Sequence, residues 1–187
     1  MAKRQVLFVQ GGGAGAHDGW DNKLVDSLRA ELGPRYDIRY PRMPDEDEPR
    51  SASWKPALEK ELAALDDRAI LVGHSVGGTI LVNVLAAHRE ARSFGGIFLI
   101  AAPFVGNGGW STAELKLPAD LGKRLPRGVP IHLFHGLADT TAPPGHAHLY
   151  ARAIPGASVH LLPDRDHQLN NDLKEVSAVI RSLEHEG

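Results

Sequence analysis

Hydrophobic residues along this chain fall into two kinds of cluster that alternate with one another. Six short runs rich in β-branched and aromatic residues read as strands: QVLFVQ from Gln5, YDIRYP from Tyr36, AILVGH from Ala69, GIFLIAA from Gly96, PIHLFHG from Pro130 and SVHLLP from Ser158. The stretches between them have helical spacing. Trp20, Leu24, Leu28 and Leu32 recur every four residues and stop at Gly33-Pro34, which predicts an amphipathic helix with those side chains on its buried face. Trp54, Leu58, Leu62 and Leu65 repeat the pattern with Pro56 in the first turn, and Leu173, Val176, Ile180 and Leu183 repeat it near the C-terminus.

Strands that alternate with helices form parallel sheets, and near-continuous apolar runs need cover on both faces. The expected fold class is α/β, a three-layer α/β/α sandwich around a mostly parallel six-stranded sheet, as one domain over residues 1–187. Two segments break the rhythm. Residues 103–128, PFVGNGGWSTAELKLPADLGKRLPRG, are glycine-rich, briefly helical and proline-bounded, and read as a small lid. PDEDEPR, from Pro44 to Arg50, carries four carboxylates in a row and reads as a solvated loop rather than a metal site.

Composition removes several function classes. With 21 basic and 23 acidic residues the net charge is -2, and the basic residues are scattered, so neither nucleic acid nor a membrane surface is expected as a partner. The run Val6 to Val9 is too short for a signal peptide, and no apolar stretch approaches the roughly 18 residues of a membrane span. Cysteine is absent, which excludes disulfides, thiolate metal sites and a cysteine nucleophile, and fits a cytoplasmic location. The ten histidines show no zinc-binding spacing, so no metal is expected.

The candidate chemistry begins in VLFVQGGGAGAHDGW, where the first strand meets three glycines. Gly11, Gly13 and Ala16 satisfy G-x-G-x-x-A, a dinucleotide fingerprint, yet the second strand ends in Tyr40, Pro41 and Arg42 instead of the acidic residue that would hold a ribose. No dinucleotide or other cofactor is expected. The rival reading is a loop whose bare amides face an oxyanion. It gains weight from Gly73-His74-Ser75-Val76-Gly77, a G-x-S-x-G motif between a strand and a helical run, which puts Ser75 on a sharp strand-to-helix turn. A serine hydroxyl needs a base and the base needs an orienting acid, both downstream in this fold type. LFHGLADTTAP places Asp139 after the fifth strand and LLPDRDHQLNN places His167 after the sixth, on the sheet edge that also carries Ser75. Asp164 and Asp166 precede His167 too closely to approach its ring from behind, and Asp120 lies in the lid segment. His74 and His135 stand beside the site and read as supports for it, while His132 and His160 lie within strands. Val76 is expected to lend its amide, and a second amide is expected from Gly11 to Gly13.

These residues resemble the α/β-hydrolase superfamily, through the glycine loop followed by Trp20, the elbow Gly73 to Gly77, and Gly136-x-x-Asp139-x-x-x-Pro143 ahead of His167. More narrowly, the chain is similar to the small serine hydrolases related to the retinoblastoma-binding serine hydrolase and its bacterial counterparts, through its short length, Met43-Pro44-Asp45 and Trp54. The resemblance implies strand order 2-1-3-4-5-6, a Ser75–Asp139–His167 triad and an oxyanion hole from Gly12 and Val76. One departure is that Asp166 and Gln168 flank His167, where that family commonly has glycine and phenylalanine. The expected activity is hydrolysis of a small ester through an acyl-enzyme on Ser75, with Trp54, Phe104 and Trp110 lining the substrate pocket. The alternative is a protein-binding module on the same fold with weak or no catalysis.

Overall fold

The computed structural model describes residues 3–88 and 93–184. Six parallel strands form one sheet: β1 (Arg4–Val9), β2 (Tyr36–Arg39), β3 (Ile70–His74), β4 (Gly96–Ile100), β5 (Ile131–Gly136) and β6 (Ser158–Leu162), in the order β2-β1-β3-β4-β5-β6. The helices are α1 (Asn22–Leu32), α2 (Ser51–Ala63), α3 (Val76–Ala87), α4 (Leu121–Arg124), α5 (Gly145–Ala153) and α6 (Lys174–Ser182).

The two-residue period of a strand divides the core into two layers. Val6 and Phe8 of β1 join Ile70, Val72, Phe98 and Phe134 on one face, against Leu24, Val25 and Leu28 of α1 and Val176 and Ile180 of α6. Leu7 and Val9 join Leu71, Leu99 and Leu133 on the other, against Trp54 and Leu58 of α2, Ile80 and Leu81 of α3 and Tyr150 of α5. Burial of each such side chain stabilises the fold by about 1.5–3 kcal/mol. α3 runs behind the middle of the sheet and is buried at every position from Gly77 to Ala86, hence its lack of a polar face.

Two helix boundaries differ from the spacing. The four-residue repeat breaks at Trp20, because Ala16–Asp21 forms a π-helical turn ahead of α1. The wider turn rotates Trp20 off the apolar face; it is 57% exposed, and Val25 joins Leu24, Leu28 and Leu32 in the core instead. α2 begins at Ser51, so Pro56 sits beyond the first turn rather than inside it.

Candidate active site

The C-terminal ends of the strands meet on one rim. β3 runs directly into α3 through Ser75, whose backbone takes φ 51° and ψ −133°, an arrangement that costs about 1–3 kcal/mol unless its surroundings impose it. They do: the Ser75 amide donates to Ile100 O on β4 at 2.8 Å, and Gly77 lies against β1 so closely that a Cβ would stand 2.0 Å from Gln10 O. The turn therefore holds the hydroxyl up from the sheet with glycine required beneath it.

His167 lies in the loop after β6. Its Nε2 is 2.9 Å from Ser75 Oγ and its Nδ1 is 2.8 Å from Asp139 Oδ2. A carboxylate only accepts, so Nδ1 carries a proton, and in the neutral ring the lone pair lies on Nε2, facing the Ser75 hydroxyl. The loop is seated by a backbone-to-backbone approach at Gly136, where a Cβ would stand 2.1 Å from Arg165 O, and by the Ala138 amide donating to that same oxygen at 3.0 Å. Arg165 binds Asp172, Glu175 and Leu169 O, which closes the loop onto the start of α6. Asp166 and Gln168 fit this course: Asp166 Oδ1 accepts from the amides of Gln168 and Asn170 in a local turn.

Asp139 is fully shielded and saturated with donors. Oδ1 accepts from the amides of Thr141 at 2.8 Å and Ala142 at 2.9 Å, and Oδ2 accepts from His167 at 2.8 Å; His135 Nε2 lies 3.1 Å from Oδ2 but has Ala142 O as its hydrogen-bond partner at 2.6 Å. Burial on its own would raise the pKa of this carboxyl, but the His135 and His167 rings beside it and the backbone amides outweigh it and hold the group well below the usual carboxylate range.

The glycine loop stands against the same hydroxyl. The Gly11 amide donates to Asp21 Oδ2 at 2.6 Å and the Gly13 amide to Glu46 O at 2.6 Å, whereas no acceptor within the described residues meets the Gly12 amide. Val76 is the first residue of α3, so its amide has no partner within the helix and lies at the positive end of the helix dipole. Gly12 and Val76 adjoin, since a Cβ on Gly12 would lie 3.0 Å from Val76 Cγ1.

A cleft of about 550 Å³ opens over Ser75, bounded by Gly11, Gly12, Gly13, Trp20, Thr140, Thr141 and Gln168 among others, and by no residue of 103–128. The proposed pocket aromatics lie elsewhere. Trp54 is fully buried in the α2 face of the core, its indole N–H donating to Pro44 O at 2.6 Å, and is a packing residue. Phe104 and Trp110 line a separate cavity of about 790 Å³ formed by the 103–128 segment and α5, not the cleft of Ser75. The acidic loop also departs from its solvated reading: Glu46 Oε2 accepts from Gln10 Nε2 at 2.7 Å and from the His17 amide at 2.9 Å, so it braces the glycine loop. Spacing gave no sign of Asp21, which is buried and bound to both Gly11 and His74. Among the described residues no group of His, Asp or Glu is arranged to hold a metal ion, and no helix is long and apolar enough to cross a membrane.

A sequence model of the serine hydrolase family matches residues 6–174, nearly the whole chain. The chain belongs to the serine hydrolase family. Several solved structures are similar to this serine hydrolase in fold. The ydeN gene product of B. subtilis is 20% identical with a TM-score of 0.74, covering 98% of this chain and 100% of that one. A serine hydrolase involved in carbazole degradation, the CarC enzyme, is 14% identical with a TM-score of 0.73, covering 100% and 93%. The esterase domain of a Rhodothermus marinus protein is 18% identical with a TM-score of 0.69, covering 97% and 86%. At these identities the likeness is one of fold. No curated protein sequence matches the serine hydrolase.

Proposed function

We propose that this serine hydrolase cleaves small carboxylic esters through an acyl-enzyme on Ser75, with His167 as general base and acid, Asp139 as the group that orients and balances the imidazole, and the amides of Gly12 and Val76 as the oxyanion hole. The reading rests on the relay from Asp139 Oδ2 to His167 Nδ1 at 2.8 Å and from His167 Nε2 to Ser75 Oγ at 2.9 Å. Ser75 Oγ attacks the ester carbon as His167 Nε2 takes its proton, and the carbonyl oxygen becomes an oxyanion between the two amides. Collapse breaks the bond to the alcohol, which leaves with the proton from His167. Water then attacks the acyl group by the same route, releasing the carboxylic acid and restoring the Ser75 hydroxyl.

We extend the reading to a short acyl chain because small residues, among them Gly12, Ala14, Ala16 and Thr141, line the cleft and Trp20 is its one large apolar side chain. A cytoplasmic setting fits the absence of cysteine. Labelling by a fluorophosphonate probe, followed by a series of p-nitrophenyl esters from acetate to decanoate, tests the reading. Labelling at Ser75 and fastest turnover on the shortest chains are the expected results. A folded protein that neither labels nor turns over any ester is instead a binding module on a hydrolase fold.

A further inference from the structure

Beneath the Ser75–His167–Asp139 relay lies a second aspartate–histidine pair that acyl transfer as described leaves unused. Asp21 and His74 are each 1% exposed. Asp21 Oδ2 accepts from the Gly11 amide at 2.6 Å and from His74 Nδ1 at 2.9 Å, and its Oδ1 faces Gln168 Nε2 at 3.3 Å. The other ring nitrogen, His74 Nε2, points at the carbonyl oxygen of His167 at 3.1 Å. A carboxylate and a carbonyl only accept, so satisfying both contacts puts a proton on each nitrogen of His74. That makes His74 an imidazolium with Asp21 as its counter-charge. Burial alone would push the His74 pKa down, and the Asp21 carboxylate reverses this and raises it. Burial likewise acts to raise Asp21, but His74 and the Gly11 amide bring it below the usual carboxylate range. The remaining ionisable groups facing His74 are Asp139 and the ring of His167, whose centroid is 5.1 Å away.

Three segments of the site converge on this pair. Gly11 belongs to the loop that presents the Gly12 amide, His74 immediately precedes Ser75, and the His167 carbonyl belongs to the residue that carries the base. We infer that Asp21 and His74 form a charged positioning pair, which fixes the oxyanion loop and the backbone of His167 in register with Ser75. The inference rests on the catalytic roles assigned above. Because the two charges cancel, the pair gives rigidity without placing net charge beside an imidazole that must become cationic during turnover.

The test uses the full chain and two readouts. In the wild type, nitrogen NMR of His74 is expected to show two protonated ring nitrogens at pH 7. In Asp21→Asn one of those protons is lost, and kcat falls about 10²-fold while KM moves by less than about threefold, because small displacements of reacting groups act on the chemical step. A wild-type His74 with one bare ring nitrogen at pH 7, or a folded Asp21→Asn with unchanged kcat, overturns the pair. Should Asp21→Asn fail to fold, the wild-type nitrogen spectrum decides: two protonated ring nitrogens on His74 uphold the pair and one bare nitrogen overturns it. Failure of the acyl-enzyme reading looks different: Ser75→Ala would keep full turnover, whereas the His74 spectrum requires none.

Discussion

The substitution Asp139→Asn preserves the shape of a fully shielded side chain while turning one of its two acceptor atoms into a donor. Three N–H groups donate to that carboxylate, two backbone amides to Oδ1 and the His167 ring to Oδ2, and the His135 ring stands 3.1 Å from Oδ2. If the new NH2 faces the rings, His167 Nδ1 can keep a contact only by giving up its proton, which moves the hydrogen to Nε2 and points it at Ser75. The ring then has no lone pair to receive the hydroxyl proton. If the amide flips, its NH2 meets the amides of Thr141 and Ala142 at distances of 2.8 and 2.9 Å that suit an acceptor, and buried donors lose their partners at about 1–3 kcal/mol each. The first orientation is thus favoured for stability and ruinous for catalysis. We expect kcat to fall by about 10⁴, or roughly 5.5 kcal/mol of transition-state stabilisation, with KM little changed. The assay is hydrolysis of a p-nitrophenyl ester under saturating substrate, with thermal unfolding to show that the variant is folded. A folded variant within tenfold of wild-type kcat would show that Asp139 does not set the tautomer of His167.

Ser75→Ala is expected to abolish probe labelling and to reduce turnover to the background left by the oxyanion amides, measured on the same esters. Gly77→Ala sets a Cβ 2.0 Å from Gln10 O, so chemical denaturation should show a loss of at least about 3 kcal/mol, and a loss under about 1 kcal/mol would mean that the elbow is not tightly held. Trp54→Ala should cost about 3–5 kcal/mol of stability and leave KM unchanged, whereas a raised KM at unchanged stability would return Trp54 to the substrate pocket. Burial, then the neighbouring His160, depresses the pKa of His132 to about 4. The unfolded chain, with its histidine near 6.5, therefore binds the extra proton first as pH falls. Stability linked to His132 is present above pH ~6.5 and declines toward pH ~4, and denaturation midpoints across that window should flatten in His132→Gln.

The parts of the molecule that sequence revealed are those written in local pattern. All six strands, the strand-to-helix turn at Ser75 and the places of Asp139 and His167 after β5 and β6 depend on residues a few positions apart or on strand ends that a parallel sheet brings to one rim. Trp20 misled because a helical repeat assumes a constant turn, and the π-helical turn before α1 adds residues without changing the letters. Trp54 keeps its periodicity, but an aromatic on a helix face reads equally as pocket or core, and it takes its complete burial and the contact with Pro44 O to separate the two. Asp21 and His74 are 53 positions apart, and nothing near either residue marks it as half of a pair. Glu46 was hidden by its company: among four successive acids, one turns inward to Gln10 and His17 while Asp45, Asp47 and Glu48 stay exposed.

That inward glutamate bears on how the protein can be re-engineered. The stretch between β2 and α2 carries exposed residues at Arg42, Asp45, Asp47, Glu48 and Arg50 and would be a natural choice for grafting a tag or a foreign loop. Yet it supplies the carbonyl for the Gly13 amide and the carboxylate for Gln10, so an insertion there unfastens the glycine loop from a distance and, on the proposed mechanism, slows turnover without altering a single residue of the cleft.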